Sequence, residues 1–202
     1  MRLESGRTVH APADAEMASQ LAQLGSNARK RESHQQQRQA IVAALASLDV
    51  LGKGHCIVEI GAGNGELSLA IAEAYPHALR SDAVILLDNQ KKPKGRSGHG
   101  RLAADVALEQ ACASFARVKI DIADCDLGAL RDRLAPGRRV VVVAKHLCGA
   151  ASDYALRAVA RMAAGEDDAA DAGGAQPADG SEGDAAPAAV VLGTCCHHRC
   201  EW

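Results

Sequence analysis

The chain has 202 residues, the size of one ordinary globular domain, and its 48% hydrophobic residues can build a core, but at 2% aromatics that core must consist of Ala, Val, Leu and Ile. The net charge of −2 conceals two opposed regions: Glu166, Asp167, Asp168, Asp171, Asp179, Glu182 and Asp184 form an acidic stretch without Lys or Arg, and elsewhere 23 basic residues face 18 acidic ones, a balance of +5 that suits a polyanionic partner. The seven cysteines are clustered rather than spaced as a disulfide framework, and no apolar run nears the ~20 residues that cross a bilayer. No secretory signal pattern opens the chain, so an intracellular protein, cytoplasmic or nuclear, with reduced thiols and no membrane partner is expected.

In chain order, residues 1–12 lack any pattern and are expected to be disordered. Residues 13–48 read as a leading helical segment, in which Gln37, Ile41, Leu45 and Leu48 recur on one face before Gly52 and Gly54 end it. A strand is expected at Cys56–Ile60, a glycine loop at Gly61–Gly65, a helix from Glu66 to Tyr75 stopped by Pro76, and a second strand at Ala83–Asp88. The run NQKKPKGRSGHG is a basic, glycine-rich loop, after which Leu102 to about Ser114 returns to helical character.

A third strand is expected at Val118–Ile122 and a helix over Leu127–Leu134, halted by Pro136 and Gly137. Arg139–Lys145 has the unbroken β-branched run of a strand buried on both faces. Ser152 and Asp153 are placed to cap a helix from Tyr154 to Ala164. Residues 165–187 are Ala, Gly, Asp and Pro without periodicity and read as a disordered acidic insertion. Ala188–Thr194 is the fifth strand, leading into CCHHRCEW.

Five alternations of strand and helix predict an α/β fold, a parallel sheet with helices on both faces. Such sheets bind ligands outside the carboxyl ends of their strands, near the point where strand order reverses. The polar residues of this chain gather at those positions.

The sharpest local motif is Glu59-Ile60-Gly61-Ala62-Gly63-Asn64-Gly65, an acid at a strand end followed by G-x-G-x-G and a helix. Glycines there permit a tight turn and close approach of a ligand to the backbone. A dinucleotide loop would place a further glycine at position 66, where this chain has Glu66, whose carboxylate would oppose a pyrophosphate. S-adenosylmethionine has no phosphate and carries ammonium and sulfonium charges, so Glu59, Gly61, Gly63 and Gly65 fit it as cofactor. Asp88, ending the second strand, is placed to accept from both ribose hydroxyls, and Asp121, ending the third, from the adenine amino group. Ordinary turn acids beside a packing loop are the alternative reading of these residues.

Lys145 and His146 follow the fourth strand, where a Lys or His can take the proton of an attacking hydroxyl. Lys145, emerging from a dry valine run, is open to a lowered pKa, and an ion pair with Asp153 or Glu59 is its alternative role. The terminal stretch Cys195–Cys200 lacks paired C-x-x-C spacing, and neighbouring residues of an extended chain face opposite ways, so zinc is not expected there. It reads instead as a polar wall beside Lys145, with Cys196, His197, His198 and Arg199 as substrate-binding candidates.

VEIGAGNGELS, KHLCGAASDYALR and a strand running into CCHHRCEW closely resemble the eukaryotic tRNA methyltransferases that 2′-O-methylate nucleotide 4 of the acceptor stem; SHQQQRQAIVAAL resembles their segment ahead of the first strand. The likeness runs from about residue 30 to 202, omitting the basic loop and the acidic insertion. It implies a Rossmann-like class I methyltransferase domain over residues 13–202, S-adenosylmethionine as cofactor, and tRNA rather than DNA as partner. By matched position it puts Gly61, Gly63, Gly65 and Asp88 at the cofactor and Lys145, His146 and the Cys195–Cys200 stretch near the reaction. Family members carry amino-terminal zinc modules and continue past CCHHRC. A truncated form is therefore expected, with a sheet incomplete at its carboxyl end. Methylation of another RNA or of protein, or an inactive core, are the alternatives.

Overall fold

The computed structural model describes residues 31–89, 102–165 and 186–193. The chain forms two compact units, residues 1–37 and 38–202; in the first, the described residues 31–37 are helical. The second opens with helix α1 (residues 38–47). It continues as β1 (Cys56–Ile60), α2 (Glu66–Ala74), β2 (Ala83–Asp88), α3 (Ala103–Ala111), β3 (Ser114–Lys119), a 3₁₀ turn (Ile122–Asp124), α4 (Leu127–Leu134), β4 (Val140–Lys145), α5 (Ala150–Ala164) and β5 (Ala189–Gly193). Among the described residues no helix is long and apolar enough to cross a membrane.

Among the described residues all four strand pairings are parallel, in the order β3-β2-β1-β4-β5. The chain builds outward from β1 through β2 to β3, then returns so that β4 lies on the other side of β1. Strand order therefore reverses between β1 and β4, and the crevice outside their carboxyl ends is where such a sheet receives a ligand.

Alternation along each strand divides the core in two. Val58, Ile60, Ile85, Leu87, Val142 and Ala144 face α4 and α5, packing with Leu127, Ala155, Ala158 and Met162. Ile57, Val84, Leu86, Val141 and Val143 face the other way, onto Ile41 and Leu45 of α1, Leu67 and Ile71 of α2, and Leu108 of α3. Helices thus cover both faces, and the core is aliphatic as composition requires. The buried Asp82 fastens the loop ahead of β1, accepting from the N–H groups of Gly52, Gly54 and His55 at 2.7, 2.8 and 3.0 Å.

Two element boundaries differ most from the sequence expectation. The third strand is Ser114–Lys119 rather than Val118–Ile122, because pairing with β2 sets Ala83 opposite Ser114 and Asp88 opposite Lys119. Asp121 consequently lies beyond the strand. Helix α5 begins at Ala150 behind Gly149, not after Ser152 and Asp153; the Ser152 hydroxyl donates to the Leu147 carbonyl at 3.0 Å instead of capping. The Cys196–Arg199 candidates, the basic loop and nearly all of the acidic insertion lie outside the described residues.

Candidate functional site

A cleft of about 270 Å³ opens at the carboxyl ends of β1, β2 and β4, the position the strand-order reversal dictates. Ile60 and Gly61 from β1 and its loop, Leu87, Asp88 and Asn89 from the end of β2, and His146 and Leu147 after β4 line it. Ile120, Ile122 and Ala151 complete an otherwise apolar wall.

The glycine loop is wound tightly at the edge of this cleft. Gly61, Gly63 and Gly65 have φ of 68°, 51° and 78°, values costly to a residue with a Cβ. The Ala62 N–H donates to the Leu87 carbonyl at 2.9 Å, tying the loop to β2. Gly63 is held on both sides: its N–H donates to Asp88 Oδ2 at 2.6 Å, and its carbonyl accepts from Arg117 Nη1 at 2.8 Å. Because the Asp88 carboxylate occupies that N–H, the loop presents negative charge where a dinucleotide loop would present donors. A pyrophosphate would be repelled here, whereas hydroxyl donors or a cationic ligand suit the same carboxylate.

His146 stands at φ 70°, unusual for a residue with a side chain and often a mark of a functional position. Its N–H donates to the Gly193 carbonyl at 3.0 Å, so the end of β5 helps fix the turn that brings His146 to the cleft. Lys145 precedes it, half-buried at the last position of β4 and opposite Gly193 in the sheet register.

Of the residues the sequence singled out, the fold brings Gly61, Asp88 and His146 to one cleft, with Gly63 bonded to Asp88 at its rim. Glu59 shares the parity of Ile57, so it points toward α2, and it is not among the residues lining the cleft. Its Oε2 accepts from the Ser68 N–H at 2.9 Å and the Ser68 hydroxyl at 2.5 Å. Burial pushes the Glu59 carboxyl up to about 7, against the opposing pull of the Ser68 bonds and of the Arg117 and Lys145 charges. Gly65 closes the loop over Leu86, Ala104 and Arg117 and is not part of the cleft lining. Asp121 is exposed and accepts from the Ala123 N–H at 3.0 Å, opening the 3₁₀ turn. The cleft wall at that end is formed by Ile120 and Ile122. Among the described residues no group of three or more His, Cys, Asp or Glu is placed to hold a metal ion.

Sequence reasoning missed the apolar lining and Asn89. Their positions at or just past strand ends are the signal that could have found them. It also missed Arg117 and Asp105, twelve residues apart on different elements, for which no local pattern exists.

The chain matches the family model described as Methyltransferase TRM13 over residues 36–202. It is similar to the mouse tRNA:m(4)X modification enzyme TRM13 homolog, with 30% identity over 84% of this chain and 37% of that protein. The human homolog is 29% identical over the same shares, and the Scheffersomyces stipitis enzyme 24% identical over 85% of this chain and 39% of its own length. The chain thus spans little more than a third of the length of these relatives. No solved structure gives a significant match.

Proposed function

The chain belongs to the Methyltransferase TRM13 family, and from that premise we propose that it is the cofactor-binding core of an S-adenosylmethionine-dependent tRNA 2′-O-methyltransferase acting on acceptor-stem nucleotide 4. The observation that carries the reading is the junction of Gly63 with Asp88, where the loop after β1 meets the end of β2 beside the strand-order reversal, a carboxylate-bearing rim on a largely apolar cleft. S-adenosylmethionine, when bound, supplies a methyl group activated by its sulfonium.

Asp88 would accept from the ribose hydroxyls of that cofactor, and Gly61 would let it approach bare backbone. Ile60, Leu87, Ile120, Ile122 and Leu147 exclude water from its flat apolar part. Asp121, exposed between the lining residues Ile120 and Ile122, would have to turn toward the cleft to accept from the adenine amino group. Glu59, which does not line the cleft, would serve the cationic cofactor only indirectly, through its hold on Ser68 in the first turn of α2.

Lys145 and His146 are the competing candidates for the one base that takes the proton of the substrate. A sugar hydroxyl is a weak nucleophile while protonated, and a positioned base that takes its proton during transfer speeds such steps by ~10²–10⁴-fold. The Cys196, His197, His198 and Arg199 stretch would carry substrate contacts. A duplex acceptor stem is read by shape and 2′-hydroxyls rather than by stacking, which accords with a chain this poor in aromatics. The basic excess outside residues 165–189 suits its phosphates. An intracellular site, cytoplasmic or nuclear, goes with that substrate.

The test is methyl transfer from radiolabelled S-adenosylmethionine to total tRNA, total rRNA and protein fractions, followed by nucleoside analysis of any labelled tRNA. Label in the ribose of nucleotide 4 supports the reading; label confined to rRNA or protein replaces the substrate; titration with S-adenosylhomocysteine that shows no binding removes the cofactor assignment.

A further inference from the structure

We infer that Arg117, gripped by Asp105, is the positioning residue that sets the glycine loop and, through Gly63, aims Asp88 at the cleft. The inference rests on the proposed cofactor reading for what the loop binds, but its geometry stands apart from the lining residues.

Arg117 shares a register position with Leu86, so β3 directs it to the sheet face that α3 covers. There its Nε donates to Asp105 Oδ1 and Oδ2 at 3.0 and 3.1 Å, and Nη2 donates to Oδ1 at 2.7 Å. The two side chains are 8% and 2% exposed. A buried ion pair is a poor source of net stability, since apolar residues of the same shape often do as well. What an apolar pair could not supply is the remaining donor: Nη1 reaches the Gly63 carbonyl at 2.8 Å, across 54 residues of sequence.

Space for that reach is built into the loop. A Cβ at Gly65 would lie 3.1 Å from Arg117 Nη2 and 3.0 Å from Leu86 Cδ1. A Cβ at Gly63, by contrast, would meet nothing within 4 Å. The third glycine of the motif is therefore needed by the arginine beneath it as well as by its own φ of 78°. Gly63 is pinned from two neighbouring strands, its carbonyl by Arg117 of β3 and its N–H by Asp88 of β2. Releasing the carbonyl loosens Gly63, whose N–H, in the preceding peptide unit, orients the Asp88 carboxylate, and a ligand must then order the loop itself.

The experiment compares the parent chain with Arg117→Met/Asp105→Leu, which keeps the site apolar and filled, and with Arg117→Lys, whose single ammonium cannot grip Asp105 and reach Gly63 together. Calorimetric titration with S-adenosylhomocysteine and amide exchange at Gly63 and Gly54 are read in each folded protein. The expected result is an affinity loss of at least about tenfold, the scale for residues that orient ligating groups, with Gly63 exchange faster by a similar factor. Exchange at Gly54, held by Asp82 at the other end of the sheet, stays within about twofold, which a general loss of stability would not allow. Affinity and Gly63 exchange both within twofold of the parent in either folded variant overturn the inference. If the parent itself binds no S-adenosylhomocysteine, the cofactor reading fails, and unaltered Gly63 exchange in the variants would still refute the positioning role.

Discussion

Glu59 should make this protein less stable as pH rises from mildly acidic to neutral, the reverse of the usual carboxylate. The residue is 3% exposed, and burial holds its carboxyl up at about 7, against 4.5 when unfolded. Below pH 4.5 both states carry the proton. Between 4.5 and 7 the unfolded chain releases it while the folded chain keeps it, so folded protein binds more protons and stability falls as pH increases. At 1.36 kcal/mol for each pH unit of difference, the loss integrates to about 3 kcal/mol by pH 8. Gln at 59 keeps an oxygen for both Ser68 donors and cannot titrate. Urea unfolding of the parent and of Glu59→Gln at pH 4.5, 5.5, 6.5 and 8 isolates the effect, because the other groups cancel in the difference. The variant should gain about 3 kcal/mol on the parent across that range. A difference that stays flat would show that Glu59 ionises normally in the folded protein, and the dry surroundings of its carboxyl would be refuted.

Asp88→Ala should weaken S-adenosylhomocysteine binding by about 1–3 kcal/mol, the cost of a lost acceptor in a ligand site; unchanged calorimetric affinity would remove Asp88 from it. Lys145→Ala and His146→Ala should each leave that affinity nearly intact. The variant lacking the general base should lose turnover by ~10²–10⁴-fold in a single-turnover methylation assay, and full activity in both would exclude this pair. Gly65→Ala should destabilise the fold by about 1–3 kcal/mol, since it meets both an unfavourable φ of 78° and contacts of 3.0–3.1 Å. A thermal melt identical to the parent's would refute the packing described beneath the loop.

The sequence was most legible where one physical signal acted alone. Val140 to Ala144 are buried on both faces, and an unbroken valine run admits little else, so β4 was readable almost to the residue. The same holds for β1 and β2, and the α/β alternation placed Asp88, Gly61 and His146 at strand ends, where the cleft lies. Strand β3 was misjudged because SFARVK is partly exposed and carries Arg117 and Lys119, which breaks the apolar pattern. Only pairing with β2 decides where it starts.

Spacing alone determined that an acid and three glycines meet at the end of a strand, and that another acid ends the next. It could not determine which way each carboxylate turns. Glu59 is committed to Ser68 because strand parity sends it toward α2, while Asp88 reaches Gly63 because β2 lies beside β1 in a common register. Arg117 and Asp105 find each other only once β3 and α3 pack on one face. Local order follows from backbone sterics and the period of apolar residues along the chain; which buried charge meets which partner is a through-space matter, settled by the sheet.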